Sequence, residues 1–130
     1  MSKKHQYKIK IYYEDTDAGG VVYYANYLKF IERARTEILN KKKIQHTYLK
    51  NKFNIYTMVK SCNIKYVKPA FLDDELYVKT SLIKKSKFHF YLAQKILKNK
   101  NLILDVKIKI VTVNDLGKLT RMPLELYNIF

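Results

Sequence analysis

Two carboxylates, Asp15 and Asp17, stand just ahead of the glycine pair Gly19-Gly20, and a helical pattern opens a few residues later. Backbone N–H groups at a helix start have no intrahelical partner, and the helix dipole makes that end favourable for negative charge. A carbonyl held between those amides and a carboxylate would meet hydrogen-bond donors on one side and an anion on the other, the arrangement that acyl transfer needs. The same D-x-D-x-G-G run also reads as a plain strand-to-helix connection, because Asp, Gly and Asn serve turns and caps for backbone reasons alone. In a turn, moreover, a spacing of two does not fix direction, so one carboxylate can cap while the other does chemistry.

Other chemistries find less support. Hard cations take carboxylates but want several oxygen ligands, and His5, His46 and His89 are scattered without ligand spacing, so no metal site is expected. No G-x-S-x-G elbow occurs, and Cys62 falls on the apolar face of its strand, where a small buried side chain is the expected role. His46 and His89 read as surface or edge residues. Asp73, Asp74 and Glu75 form a second acidic cluster at what reads as a hairpin entry, expected to be solvated. Glu32 and Glu37 are expected to face solvent or to pair with Lys29, Arg33 or Lys41.

The elements that must position Asp15 and Asp17 follow from periodicity. Tyr7, Ile9, Ile11 and Tyr13 share one face of residues 5–13 and Lys8 and Lys10 the other, which predicts a half-buried strand delivering the carboxylates at its end. Gly19 and Gly20 permit the sharp reversal. From about Tyr24 to Lys42 the period becomes helical, with Leu28, Ile31, Ala34, Arg35, Ile38 and Leu39 on one stripe and Asn26 as the N-cap. A shorter helix is expected near residues 45–52.

Four alternating segments follow: Tyr56 to Tyr66 with Met58, Cys62 and Ile64; Leu76 to Leu82; Phe88 to Ile96 with Phe90 and Leu92; and Leu102 to Ile110. The links Pro69 to Asp74, Lys84 to Lys87 and Lys98 to Asn101 have lengths that suit antiparallel hairpins. Asp115 to Gly117 end the last strand, and Met122 to Phe130 return as a tail. One strand, one long helix and four strands predict an α+β fold, a five-stranded antiparallel sheet wrapped around a central helix, in one domain spanning residues 1–130.

Composition bounds the function. The chain has 130 residues, 26 Lys and Arg against 11 Asp and Glu, and a net charge of +15, spread along the chain and nearly all lysine. No zinc-knuckle, helix-turn-helix or aromatic RNA-binding signature accompanies the charge, so it reads as a solvated surface able to steer acidic or phosphorylated ligands, not as a nucleic-acid site. No apolar run is long enough to span a bilayer and the start lacks a signal-peptide core, so a cytoplasmic protein without membrane insertion is expected. The single cysteine agrees with a reducing compartment.

The run YYEDTDAGGVVYYANYLKFIERARTE resembles the signature of the hotdog-fold acyl-CoA thioesterases, specifically the YbgC group related to 4-hydroxybenzoyl-CoA thioesterase. IKYVKPAFLDDELYV and the DLGKLTRMP ending resemble later segments of that group, in order, over about residues 7 to 127. The resemblance implies a hotdog fold and hydrolysis of short- to medium-chain or aromatic acyl-CoA thioesters, with acyl groups on acyl carrier protein as a further substrate. It implies Asp17 as the catalytic carboxylate, attacking the carbonyl or activating water, with the amide of Tyr24 polarising the thioester oxygen and Tyr13 lining the site. Gly20, Val22 and Asn26 would border the substrate. Homodimers or homotetramers with sites between subunits are implied, and neither metal nor cofactor.

One position departs from the group. VYHANY is usual, whereas this chain reads VYYANY, with Tyr24 in place of the histidine. A backbone amide survives any side-chain change, so hydrolysis is still expected. The departure motivates a second reading, a non-catalytic scaffold that binds acyl-CoA or acyl carrier protein, while the charge alone motivates a third, a basic nucleic-acid or membrane-surface binder.

Overall fold

The computed structural model describes residues 5–130. Five strands, β1 (His5–Lys10), β2 (Tyr56–Tyr66), β3 (Glu75–Lys85), β4 (His89–Lys98) and β5 (Asn101–Val113), form one antiparallel sheet in the order β1-β3-β4-β5-β2. Helix α1 (Asn26–Lys41) packs on it against β1 and β3, α2 (His46–Phe53) follows, and a single turn, α3 (Leu124–Tyr127), closes the chain. The core lies between α1 and the sheet. Phe30, Ile31 and Ile38 meet inward residues of the strands such as Leu76, Val78, Leu92, Ile96 and Val106. The opposite face of the sheet carries exposed Lys79, Lys95 and Lys107, so much of the positive charge is a solvated layer, as periodicity demands.

Several expectations shift. The helix starts at Asn26 rather than Tyr24, and its buried stripe runs Tyr27, Phe30, Ile31, Ala34, Ile38 and Leu39. Leu28 is 45% exposed, because Tyr27 and Phe30 take the inward phase. Asn26 is not the cap. Ala25 holds that place, and the Asn26 side chain donates from Nδ2 to the Asp15 carbonyl at 2.9 Å. Tyr13 leaves the face it was expected to share with Ile9 and Ile11, because β1 ends at Lys10 and residues Tyr13–Asp15 coil into a short 3-10 turn. Phe88 lies just before β4 and is exposed.

The link Pro69 to Asp74 does not close a hairpin. β2 pairs with β5 at one edge of the sheet while β3 lies between β1 and β4, so the link carries the chain across to the other side. Its length suited either route. Asp74 is not solvated: Oδ1 accepts from Lys98 Nζ at 2.8 Å and Oδ2 from the Phe71 amide at 2.8 Å. Cys62 is exposed, not buried. It registers with Ile108, as Ile64 and Tyr66 do with Val106 and Leu104, so the alternation reads their face correctly; Tyr56 and Met58 do not share it, because a bulge between Val59 and Ser61 shifts the register and pairs them with Val113 and Val111. The helix lies towards the far side of the sheet, and the inner face of β2 is left open.

The crossing link supports the carboxylate turn. Ala70 is fully buried; its N–H donates to the Tyr27 hydroxyl at 3.2 Å and its carbonyl accepts from Val22 N at 2.8 Å. Burial raises the Tyr27 phenol above its usual range, opposed by the Ala70 N–H that donates to it. Tyr27→Phe would leave that buried N–H unpaired, and chemical denaturation is expected to show a loss of about 1–2 kcal/mol.

Candidate active site

The chain between β1 and α1 folds back on itself. Asp17 N donates to the Val21 carbonyl at 2.9 Å, Gly20 N to the Asp17 carbonyl at 3.0 Å, and Thr16 bridges Val22. Gly20 has φ +79, a conformation that favours glycine, while Val22 is buried and bonded to Ala70. The two carboxylates have different work. Asp15 Oδ2 accepts from Tyr12 N at 2.9 Å, and the Asp15 carbonyl accepts from both Tyr23 N and Asn26 Nδ2, at 2.9 Å each. Asp15 is therefore the joint that ties the turn to the first residue of α1.

Asp17 is exposed, with Oδ1 held by the Gly19 amide at 2.8 Å; among the described residues Oδ2 has no partner. One oxygen fixed and one free is a preorganised carboxylate. A Cβ on Gly19 would stand 3.2 Å from Asp17 Oδ1, closer than an ordinary contact. Gly19→Ala is thus expected to displace the carboxylate and lower activity several-fold while leaving the thermal midpoint nearly unchanged, a split that kinetics and calorimetry on one preparation would read.

Tyr24 sits in the turn before α1, and among the described residues its N–H meets no acceptor. Its ring is 62% exposed, 5.0 Å from Tyr23 and 6.2 Å from Tyr66, and the Tyr66 hydroxyl donates to the Tyr24 carbonyl at 3.3 Å. Tyr13 is 82% exposed, and its carbonyl accepts from Thr16 N and Oγ1. The structure thus gathers Asp17, Gly20 and Val22 in one turn and ties Asn26 to it. Tyr24 borders it through its amide, and among the described residues no hydrogen bond or ring contact draws the Tyr13 side chain over it.

A polar relay crosses the core behind α1. Gln94 is fully buried; its Oε1 accepts from Arg35 Nη1 at 3.0 Å, and its Nε2 donates to the Ile31 carbonyl and Thr80 Oγ1, at 3.0 Å each. Gln94 was readable as the one polar residue among the inward positions of β4, and Arg35 as the charge on the apolar stripe of α1. Arg35 also borders a cavity of about 350 Å³ between the C-terminal half of α1, the start of β2 and the C-terminal segment. Asp17, Tyr13 and Tyr24 do not line it. Glu37 accepts from Asn40 within α1 rather than from a lysine.

The model of the thioesterase-like superfamily matches residues 12–130, almost the whole chain. The chain belongs to that superfamily. Among its relatives, the acyl-CoA thioesterase YbgC of Haemophilus influenzae is 38% identical over 113 residues, 87% of this chain and 82% of that one. The acyl-CoA thioester hydrolase YbgC of Escherichia coli O6:H1 is 35% identical over 112 residues, 85% of this chain and 83% of its own. A probable thioesterase from Bartonella henselae superimposes with a TM-score of 0.89 at 31% identity, covering 93% of this chain and all of that one. Slr0204 of Synechocystis, a 1,4-dihydroxy-2-naphthoyl-CoA thioesterase, does so with 0.90 at 19% identity over 98% and 95% of the two chains, a likeness of fold alone. The superfamily's hotdog fold is the sheet and helix described above.

Proposed function

We propose that this chain is an acyl-CoA thioesterase that hydrolyses short- to medium-chain or aromatic acyl-CoA to free acid and CoA. The observation that carries the reading is the Asp17 carboxylate, one oxygen held by Gly19 and the other free, in the turn that ends at the unpaired Tyr24 amide. The YbgC relatives, named for acyl-CoA thioester hydrolysis, share the family and most of the chain length. A thioester has little resonance stabilisation and a good thiolate leaving group, so a carboxylate and an oxyanion donor suffice. Either Asp17 adds to the carbonyl, expelling CoA thiolate and leaving an anhydride that water opens, or it takes a proton from water as the water adds. The Tyr24 amide donates to the oxygen in both routes. Gly20 and Val22 border the substrate, Asn26 holds the helix start against the turn, and Tyr13 closes over the acyl group when the assembly forms.

A second copy completes the site in this reading. β2 is an edge strand whose residues are all exposed or half-exposed, and its inner face, with Cys62, Ile64 and Tyr66, lies open beside α1. Long unprotected edges of this kind invite pairing. Sedimentation equilibrium is expected to give a dimer or tetramer; a fully active monomer would contradict it. The activity itself is tested by free-thiol release from a panel of aliphatic and aromatic acyl-CoA thioesters. Turnover of at least one is expected, whereas binding without turnover would favour an acyl-CoA or acyl-carrier scaffold.

A further inference from the structure

We infer that Tyr66 is a positioning residue for thioester hydrolysis: its hydroxyl, donated to the Tyr24 carbonyl, holds the Tyr24 N–H in line with the thioester oxygen. The role rests on the thioesterase reading and brings β2 into a site otherwise built by the turn before α1. The Tyr24 N–H belongs to the peptide that joins Tyr23 to Tyr24. No peptide bond among the described residues is cis, so the N–H and C=O of that unit point opposite ways. The Tyr23 carbonyl accepts from Asn26 N at 2.9 Å, towards the start of α1, and the N–H is thereby turned away from the helix. One anchor leaves the unit free to rock. The peptide on the other side of Tyr24 is tied as well, since its carbonyl accepts from the Tyr66 hydroxyl at 3.3 Å. With both flanking peptides held, the backbone angles of Tyr24 are set, and with them the line of its N–H.

Tyr66 can hold Tyr24 because its own backbone is held. It ends β2 in register with Leu104, and the next two amides, Val67 N and Lys68 N, both donate to the carbonyl of buried Ile103, at 2.9 and 3.2 Å. Its ring stands edge-on to Tyr24 at 6.2 Å and to Tyr27 at 5.9 Å, which fixes where the hydroxyl falls. Burial raises the phenol above its usual range, with Tyr24 and Cys62 adding, so the proton it donates stays in place at neutral pH. The bond is long for a hydroxyl, as catalytic hydrogen bonds often are before substrate arrives. It acts on orientation alone, because the carbonyl it holds and the N–H it serves lie in different peptides. A donor left in place but misaligned keeps part of its effect, so the cost falls below the roughly hundredfold or more of a donor removed outright.

Tyr66→Phe keeps the ring contacts and removes the hydroxyl. Steady-state hydrolysis of octanoyl-CoA and benzoyl-CoA is expected to show kcat lowered about tenfold and KM within about twofold. The thermal midpoint and the sedimentation mass should stay unchanged, since Tyr66 is half exposed and the ring at the β2 edge remains. Infrared spectroscopy of bound phenacyl-CoA, a ketone that cannot be hydrolysed, supplies the signature. Its carbonyl stretch should move to lower frequency on the unmodified chain, and by less on Tyr66→Phe. Unchanged kcat, a rise in KM alone, or equal carbonyl shifts on the two proteins would overturn the role. A lowered midpoint or mass in the variant would overturn it too, by assigning Tyr66 to folding or assembly. All of these leave the thioesterase reading standing, because the unmodified chain still turns over. No turnover by the unmodified chain removes that reading, and the positioning role goes with it.

Discussion

Asp17→Asn is expected to lower kcat/KM for thioester hydrolysis by on the order of a thousandfold, with the thermal midpoint essentially unchanged. The amide is isosteric, and its side-chain oxygen can still accept from the Gly19 N–H as Oδ1 does at 2.8 Å, so the turn keeps its shape. What disappears is the anionic second oxygen, which neither attacks carbon nor takes a proton from water once it is an NH2 group. Because the carboxylate is exposed, the loss should be kinetic alone. Asp15→Asn makes the contrast: Asp15 acts on the backbone of the turn through its carbonyl and Oδ2, so stability and activity should fall together and only modestly.

Gln94→Leu is expected to cost about 3 kcal/mol of folding stability, measured by denaturant unfolding. Leucine fits the volume and suits the surrounding core, so burial does not decide the sign. The relay does: the change strands the Arg35 guanidinium, leaves the Thr80 hydroxyl without its donor and deprives the Ile31 carbonyl of one. Removing one partner of a buried charged group leaves the full desolvation penalty of the other. A double variant, Gln94→Leu with Arg35→Met, should recover much of the loss, because it removes the charge together with its acceptor.

Much of this was legible because a strand's period of two and a helix's period of 3.6 are written directly into residue order. The inward residues Leu76, Val78 and Thr80 of β3 and Leu104, Val106, Ile108 and Ile110 of β5 stand where alternation puts them. Cys62 shows the limit. Alternation assigned its face, but whether that face is covered depends on how far α1 reaches across the sheet, which no local pattern records. The Pro69 to Asp74 link shows another, since chain length does not say which strand lies next door. In the helix, Tyr27 and Phe30 took the phase expected for Leu28 because rings on the same stripe fill more of the space over the sheet. At the site, types and spacing named the carboxylates, but the division of labour between Asp15 and Asp17 needed backbone hydrogen bonds to resolve.

The most direct test of the central claim is the time course of free CoA thiol released from octanoyl-CoA and benzoyl-CoA by the unmodified chain and by Asp17→Asn, at matched folding. Multiple turnovers of at least one thioester by the unmodified chain, and release near the uncatalysed rate by the variant, are predicted. Equal turnover by both proteins would remove Asp17 from the chemistry, and no turnover by either would contradict the assignment of thioester hydrolysis to this site.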